Sequence, residues 1–291
     1  MTPAQIARLS LIACIEGGSN YWSNQVTLLG PIIVMQRLLS GDYTDEKQAS
    51  LGISKLLKGL NVEKCFSEIE SAAAFLITPE DSDWPTQLND LAAPPIALIG
   101  RGIRELLLDS FDSIAIVGTR NPTSYGVKIA GDFAASICDR EWGVVSGGAY
   151  GIDSAAHEGA LAAEGMTIAV LGGGISDGYP RGNERLFAKI ADFGLIISEV
   201  LPHVPALPHR FLIRNRVIAA LSRGTIVVEA AYRSGSLRTA RDAQEIYRPV
   251  MAIPGPINSP TSEGTHRLIL ERKAELVSSV NEVMELVLPL I

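Results

Sequence analysis

The sequence predicts an α/β protein: a Rossmann-like, doubly wound, mostly parallel sheet with a small N-terminal helical domain. From residue 113 onward, short runs of β-branched and aliphatic residues recur, and most are followed by a stretch with the apolar spacing of a helix. Strands that are apolar throughout and alternate with helices are typical of a parallel sheet covered on both faces. Before residue 75 no series of such runs occurs, which favours helices there.

Residues 1–75 are predicted to form a small helical, SAM-like module. Segments such as 2–15 and 53–60 place apolar residues at the i, i+3 and i+4 positions of amphipathic helices. Glycine-containing dipeptides separate these segments. The next stretch, 76–112, is polar and rich in proline, so we expect a linker that packs on the main domain.

Residues 113–291 are predicted to form an extended Rossmann-like domain. The predicted strands are 114–117, 144–145, 167–171, 195–198, 225–228 and 250–253. The clearest helices between them are 126–140, 153–164 and 237–246. Strands joined by helices follow the right-handed crossover rule, which gives a doubly wound sheet.

Composition and charge exclude several classes of protein. The chain has 291 residues and a net charge of −7, so it cannot hold nucleic acid by bulk positive charge as histones do. Cys14, Cys65 and Cys138 form no C-x-x-C pair, which favours a reducing compartment over a disulfide framework. No apolar run reaches the ~18 residues of a membrane span. We therefore expect a cytoplasmic protein with no membrane contact.

Glycine-rich loops follow the first three predicted strands, at the edge where open parallel sheets bind ligands. These loops are 117–120, 146–153 and 172–183. Glycine lets a ligand approach the backbone closely, and free N–H groups at a helix start favour an anion. The loops predict an extended phosphate-binding floor; alternatively, they only make tight strand-to-helix turns. Asp153, at a helix start, is predicted to be an N-cap.

Arginines concentrate in one segment of this acidic chain. Residues 207–248 hold eight arginines, no lysine and three acids, a local net charge of +5. Arginine can contact phosphate with both arms of its guanidinium and can stack on bases. About half of the eight, notably Arg223, Arg241 and Arg248, are expected to pair with acids or to lie on solvated helix faces. The motifs 214–216 and 233–236 are better candidates for phosphate contacts.

Motifs for catalysis are weak. The stretch 146–151 approximates the dinucleotide-binding G-x-G-x-x-G, but it begins with serine, and the next strand lacks the acid that would hold a ribose. The sequence has no P-loop, no H-E-x-x-H and no G-x-S-x-G. Glu199 and Glu229 could form a carboxylate pair, although ion pairing with the arginines is favoured. The three tryptophans are expected in the core or at its rim. We expect no enzyme activity, no metal and no cofactor.

In their order, the motifs of residues 83–287 resemble those of the DNA-processing protein A (DprA, or Smf) family. Each motif alone is weak, but their order and spacing make the match specific. The motifs are Asp83-Trp84-Pro85, Ile116 to Arg120, Tyr125-Gly126, Ser146 to Ala149, Gly151 to Asp153, Tyr179-Pro180 with Asn183, Arg214-Asn215-Arg216, Ser234 to Leu237, and Ile253-Pro254-Gly255.

The resemblance implies a protein that binds single-stranded DNA, protects incoming strands and loads RecA recombinase in natural transformation. It also implies a homodimer. Arg120 is similar to the family's phosphate-gripping arginine, and 146–148 to its cradle of backbone amides. The residues predicted to contact DNA phosphates are Gly118, Arg120, Ser146, Gly147, Gly148, Gly151, Arg181, Asn183, Arg214, Arg216, Ser234, Gly235 and Ser236. One departure is the N-terminal module, which lacks the h-h-G-h-G hairpin of many family members.

Two other functions stay open on the sequence alone. One is a nucleotide-processing phosphoribohydrolase of the LOG or lysine-decarboxylase-like kind, whose P-G-G-x-G-T-x-x-E loop compares with 223–229. That stretch lacks the double glycine. The other is a nucleotide-sensing protein that signals to a partner.

Overall fold

The structure is a computed structural model that describes residues 1–43, 46–176 and 178–288. Within those residues it contains one nine-stranded sheet and twelve α-helices. The strands are β1 (Phe75–Ile77), β2 (Leu98–Gly102), β3 (Ser113–Val117), β4 (Gly143–Ser146), β5 (Thr167–Leu171), β6 (Leu195–Ser198), β7 (Gly224–Val227), β8 (Val250–Ala252) and β9 (Glu275–Leu276). The helices are α1 (Pro3–Ile12), α2 (Asn20–Leu29), α3 (Pro31–Ser40), α4 (Lys47–Gly59), α5 (Val62–Ser71), α6 (Ser124–Cys138), α7 (Ile152–Ala162), α8 (Glu184–Phe193), α9 (Pro208–Leu221), α10 (Ser236–Glu245), α11 (Glu263–Leu270) and α12 (Val280–Val287).

The strand order, β1-β2-β6-β5-β4-β3-β7-β8-β9, confirms the predicted Rossmann-like fold. All six predicted strands are present, as β3 to β8, and they are mutually parallel. Among the six parallel strands, the chain first forms the central strand β3, continues outward to β6, and then returns to place β7 on the other side of β3. Such a reversal is the topological switch point at which doubly wound sheets bind ligands.

The central strand shows how the sheet is buried on both sides. Ile114 and Ile116 pack into one apolar cluster with α6, α7 and α12. Ala115 and Val117 pack into another with α9, α10 and α11. Successive side chains of a strand point to opposite faces, so a strand covered on both faces must be apolar at every position. This is why the sequence shows unbroken apolar runs here instead of an alternating pattern.

The stretch 76–112, expected to be a linker, contributes to the sheet itself. It holds most of β1 and all of β2, and β2 pairs antiparallel with both β1 and β6. Arg104 fixes the fold of this stretch, because its Nε donates to Asp83 at 2.5 Å and its Nη1 donates to the carbonyl of Leu76 at 3.3 Å. On this side the sheet therefore extends two strands beyond the six predicted, and β9 adds a third at the opposite edge. Strands of three and five residues on either side of a proline-rich stretch are too short to stand out as a pattern.

Helices α1 to α5 form the predicted N-terminal helical module. Thr2 and Gln5 make a capping box at the start of α1, which fixes where that helix begins. The module is anchored to the rest of the protein by Arg8, which is 8% exposed. Its Nε donates to Glu80 at 2.8 Å and its Nη1 to the carbonyl of Ile96 at 2.7 Å.

Candidate functional site

A cavity of about 360 Å³ lies at the switch point between β3 and β7, at the carboxyl ends of the strands. We call it the switch-point pocket. The loops after β3, β4 and β7 and the first half of α9 enclose it. Its lining residues are Val117, Gly118, Thr119, Arg120, Ala149, Asp153, Phe211, Arg214, Asn215, Ile218, Ala231, Arg233, Ser234, Gly235, Ser236 and Thr239.

Asp153 lies at the bottom of this pocket and is 6% exposed. It was predicted to be an N-cap, but Gly151 occupies the cap position of α7 and Asp153 lies in the first turn. Its carboxylate accepts hydrogen bonds from the backbone N–H of Gly147 at 3.1 Å and of Ala149 at 3.4 Å. Burial raises the pKa of this carboxyl, while the positive charge of Arg214 and the backbone N–H groups oppose the rise. One of the amides predicted to cradle a phosphate, that of Gly147, thus binds the protein's own carboxylate.

Arg214 forms the other half of the pocket floor. It is 6% exposed, and its Nη1 donates to the carbonyl oxygens of Gly147, at 2.7 Å, and of Val170. Burial lowers the pKa of its guanidinium to about 10; Asp153 opposes this and the nearby charge of Arg120 adds to it. The guanidinium is therefore charged at neutral pH. A Cβ at Gly147 would lie 2.5 Å from Arg214 Nη1, so this glycine makes room for an arginine of the protein itself.

Ser146 and Asn183, both predicted to contact phosphate, hold the loops together through their side chains. Ser146 is fully buried, and its hydroxyl donates to the carbonyl of Ile116 at 2.6 Å, which ties β4 to β3. The amide Nδ2 of Asn183 donates to the carbonyl of Gly148 at 2.9 Å and to the hydroxyl of Ser154 at 2.8 Å. The Ser146 hydroxyl and the Asn183 Nδ2 are therefore engaged within the protein, whereas the predicted phosphate contact of Ser146 is through its backbone amide and stays a prediction.

Two of the loop glycines are needed for backbone conformation. Gly148 and Gly151 have φ angles of 67° and 85°, in the region that L side chains rarely adopt. Gly118 has an ordinary φ, but a Cβ there would lie 2.5 Å from the side chain of Ile152 and 2.8 Å from the carbonyl of Glu229. The alternative considered from the sequence, tight strand-to-helix turns, therefore accounts for much of the glycine pattern.

Three arginines of the loops around the pocket are exposed to solvent: Arg120, Arg181 and Arg233. Arg120 and Arg233 line the pocket, and Arg181 lies on the turn that precedes α8. Within residues 1–43, 46–176 and 178–288, none of the three forms an ion pair with an acidic side chain. The guanidinium carbon of Arg120 lies 5.2 Å from the centroid of the Phe211 ring. The rim therefore presents cations whose charge is not neutralised by the protein.

The predicted turn 234–236 also lines the pocket. The hydroxyls of Ser234 and Ser236 lie 2.7 Å apart in a mutual hydrogen bond, and Asn215 Nδ2 donates to the carbonyl of Gly235 at 3.2 Å. This turn is the wall beside Arg233. The structure thus brings Gly118, Arg120, Asp153, Arg214 and the 234–236 turn together around one cavity.

Arg216 is placed elsewhere. Its Nη2 lies 2.5 Å from Glu199 Oε1, both side chains are 11% exposed, and neither lines the switch-point pocket. An arginine two residues from Arg214 on a helix points about 200° around the axis, which carries Arg216 away from the pocket. Its predicted phosphate contact is corrected to an ion pair within the protein.

The other arginines of the 207–248 segment also divide into those that form ion pairs within the protein and those that do not. Arg223 and Arg248 were expected to pair with acids or to lie on solvated helix faces, and both form ion pairs, with Asp112 and Asp90. Arg210 and Arg238 are also paired, with Glu16 and Asp242, whereas Arg241 has no ion pair within the described residues.

Of the two strand-end glutamates, only Glu199 forms the favoured ion pair. Glu229 is 2% exposed, and its carboxylate accepts from the hydroxyl and the N–H of Thr123, at 2.7 Å and 2.9 Å. Glu229 therefore anchors the start of α6 and makes no ion pair with any residue that the structure describes, so that prediction was wrong.

Aromatic side chains at the rim were missed by the sequence analysis, which weighed only tryptophans for stacking. Tyr150 and Tyr179 are 46% and 49% exposed, and together with Phe211 and Arg120 they line a small cleft beside the pocket. The rings of Tyr179 and Phe211 lie 5.4 Å apart. Their positions in the glycine-rich loops, directly after Ala149 and directly before Pro180, were the available signal.

His157, on α7, is fully buried, and its Nδ1 lies 2.8 Å from the hydroxyl of Thr167. Burial lowers the pKa of its imidazole to about 3, so the ring is neutral at physiological pH. Across the described ranges, no group of three or more histidines, cysteines and acids is placed to hold a metal ion. Nor does any helix within them combine the length and apolarity needed to cross a bilayer.

Comparison with known proteins identifies relatives along most of the chain. A family model described as DNA recombination-mediator protein A matches residues 75–288. A Mycobacterium tuberculosis protein named putative DNA processing protein DprA is 37% identical over 276 residues, which cover 90% of this chain and 69% of the relative.

Two solved structures share both fold and sequence. The X-ray structure of DNA processing protein A from Streptococcus pneumoniae superposes with a TM-score of 0.84 and 31% identity, over 100% of this chain and 99% of that one. A Helicobacter pylori DNA processing protein A superposes with a TM-score of 0.66 and 32% identity, over 72% of this chain and 94% of that one. The latter was described for its single-stranded DNA binding mode. These similarities agree with the resemblance drawn from the sequence motifs.

Proposed function

Because the chain belongs to the DNA recombination-mediator protein A family, we propose that it binds single-stranded DNA at the switch-point pocket and does not cleave it. The Helicobacter pylori relative, described for its single-stranded DNA binding, supports the choice of ligand. The observation that carries the proposal is the contrast within the site. Arg120, Arg181 and Arg233 are exposed and unpaired within the described chain, on a protein of net charge −7.

The rim arginines suit a phosphodiester backbone. Contacts of this kind neutralise phosphates and carry no base code, so we expect little sequence preference. The rings of Tyr150, Tyr179 and Phe211 beside the arginines supply faces on which bases can stack, and every base has such a face. Bases are accessible for stacking only when they are unpaired, so this combination favours a single strand over a duplex.

The floor of the pocket supports a binding site more than an enzyme. Asp153 already accepts hydrogen bonds from Gly147 and Ala149, and Arg214 donates to carbonyl oxygens, so neither group is free to move a proton. His157 is buried and neutral. We therefore expect no release of free base when the protein is incubated with nucleoside monophosphates, in contrast to a phosphoribohydrolase.

Fluorescence anisotropy with a labelled thymidine strand of about 15 nucleotides tests the proposal. We expect binding that weakens with salt by a slope of roughly −0.7 for each phosphate neutralised, and weaker binding to the matching duplex. Arg120→Ala should weaken binding. Arg223→Ala should not, because Arg223 lies directly before β7 and is paired with Asp112. Equal affinity for strand and duplex, or an Arg120→Ala variant that binds like wild type, would overturn the proposal.

Loading of RecA, protection of the incoming strand, a homodimer and a cytoplasmic location belong to the same proposal and rest on the family resemblance. Light scattering should give twice the chain mass of 31.1 kDa. On strands coated with single-strand-binding protein, added protein should shorten the lag before RecA polymerises. A monomeric mass or an unchanged lag would remove that part of the proposal.

A further inference from the structure

A second cationic cavity lies between α10 and α11, outside the switch-point pocket. It has a volume of about 270 Å³, and we call it the α10–α11 pocket. The residues that matter for its chemistry are Tyr232, Arg241, Gln244, Arg267, Glu271 and Lys273. None of them was singled out as a site residue by the sequence motifs.

The charges of the α10–α11 pocket do not cancel. Arg267 and Lys273 both contact the single carboxylate of Glu271, at 2.5 Å and 2.6 Å. Arg241 is exposed and forms no ion pair with any residue that the structure describes. Three cations therefore face one anion. Gln244 Nε2 donates to the carbonyl of Lys273 at 2.6 Å, which fixes the end of α10 against the segment after α11.

Tyr232 gives this pocket an aromatic face. The side chain is 50% exposed, and the guanidinium carbon of Arg267 lies 4.5 Å from the centroid of its ring. An arginine held over a half-exposed ring provides both a phosphate contact and a stacking surface, which is the combination found at single-strand binding surfaces. Arg120 over Phe211 at the switch-point pocket is the same arrangement.

The two pockets share one wall. Ala231 and the segment 233–236 line the switch-point pocket, while Tyr232 and Leu237 from the same loop line the α10–α11 pocket. Tyr232 and Arg233 are adjacent in the chain, so the two pockets lie on either side of the same loop. The second pocket is thus a continuation of the first across a single loop.

We propose that the α10–α11 pocket is a second nucleotide subsite for the same single strand, with Tyr232 stacking a base and Arg241 and Arg267 contacting phosphates. This inference rests on the proposed function of the switch-point pocket. Charge alone would also suit an acidic peptide. The paired ring and guanidinium and the continuity with the first pocket favour a nucleic acid strand.

Strand length separates the two subsites. A thymidine strand of about 4 nucleotides can fill only the switch-point pocket, whereas one of about 15 can reach both. Arg241→Ala should weaken the longer strand about fivefold at about 0.1 M salt and make its salt slope less negative by about 0.7, the effect of one lost phosphate contact. The shorter strand should bind as tightly to this variant as to wild type. Arg120→Ala should weaken both strands.

Tyr232→Ala and Tyr232→Phe test the aromatic contact independently of charge. The alanine variant should weaken only the longer strand, and the phenylalanine variant should bind it like wild type. Arg37→Ala, at an exposed arginine of α3, controls for the loss of one positive charge, and thermal melting of each variant controls for folding.

Each outcome decides the inference. If Arg241→Ala and Tyr232→Ala bind the longer strand as wild type does, or weaken both lengths equally, the second subsite is refuted while the first stands. If an acidic peptide displaces no strand and the length-dependent losses appear, the subsite is supported. If wild type binds neither strand, the proposed function itself fails, and the inference fails with it.

Discussion

The switch-point pocket has a buried floor and an exposed rim, and charged side chains have different roles in the two. On the floor, Asp153 and Arg214 are nearly inaccessible, and each is engaged by backbone groups of the protein. On the rim, Arg120 and Arg233 are exposed and lack acidic partners within the described chain. An arginine in a ligand-edge motif can therefore be part of the frame or part of the binding surface, and only its partners distinguish the two.

The floor variant Arg214→Leu should have the largest effect. Removing this guanidinium leaves two buried carbonyl groups without their donor and deprives the buried Asp153 of a compensating charge. Breaking a buried charge interaction in this way costs about 3 kcal/mol. Chemical denaturation should show this loss in the free energy of unfolding. Unchanged stability would mean that Arg214 belongs with the rim.

The second prediction concerns acid. His157 has a folded-state pKa of about 3 against an ordinary value of 6.5, so below pH 6.5 the unfolded chain binds a proton that the folded chain does not. The contribution of the neutral His157 ring to the free energy of unfolding is therefore fully present above pH 6.5 and is lost as the pH falls. The loss is about 1.4 kcal/mol per pH unit, or about 2 kcal/mol from pH 6.5 to about 5.

Unfolding free energies of wild type and His157→Gln across that range check this prediction. The variant should lose less stability on acidification than wild type, whatever its stability at neutral pH. Parallel curves would show that His157 does not titrate as its burial implies.

On the rim, Arg120→Ala should leave the free energy of unfolding unchanged and reduce affinity for a single strand about fivefold at about 0.1 M salt. The guanidinium is exposed and makes no ion pair with described residues, so the fold loses little beyond its contact with the Phe211 ring when it is removed. Thermal melting and anisotropy measured on the same sample separate the two effects. A drop in stability as large as the drop in affinity would erase the distinction between floor and rim.

The smallest effect on binding is expected for Arg216→Gln. Its guanidinium contacts Glu199 and does not line the pocket, so affinity for the strand should stay within about twofold of wild type. Anisotropy under the conditions used for Arg120→Ala provides the measurement. A fivefold loss of affinity would instead support the phosphate contact of Arg216 that the sequence motif suggested.

The sequence predicted the six parallel strands because the apolar pattern that marks a buried strand depends only on its local sequence. A strand buried on both faces must be apolar at each position, as 114–117 and 167–171 are, and this can be read without knowing the fold. The strands β1 and β2 were missed because they are short and flank a proline-rich stretch. Their place at the sheet edge depends on pairing with β6, a contact distant in sequence.

The site was predicted in position but only partly in role. Glycine-rich loops at a parallel sheet edge correctly located the pocket around Gly118, Arg120 and the 234–236 turn. The partners of Asp153, Ser146 and Arg216 could not be foreseen, because each bonds to a group brought close only by the fold. Tyr150 and Tyr179 lie in the glycine-rich loops, but the search for phosphate contacts relied on glycines and positive charge and so did not identify them.

The salt dependence of strand binding tests the central claim most directly. For the double variant Arg120→Ala/Arg233→Ala and a strand of about 15 nucleotides, the plot of log affinity against log salt should be less steep than for wild type by about 1.4, the slope expected for two lost phosphate contacts. Arg216→Gln should retain the wild-type slope. A double variant with the wild-type slope, or an Arg216→Gln variant with an equally reduced slope, would contradict the assignment of phosphate binding to the rim.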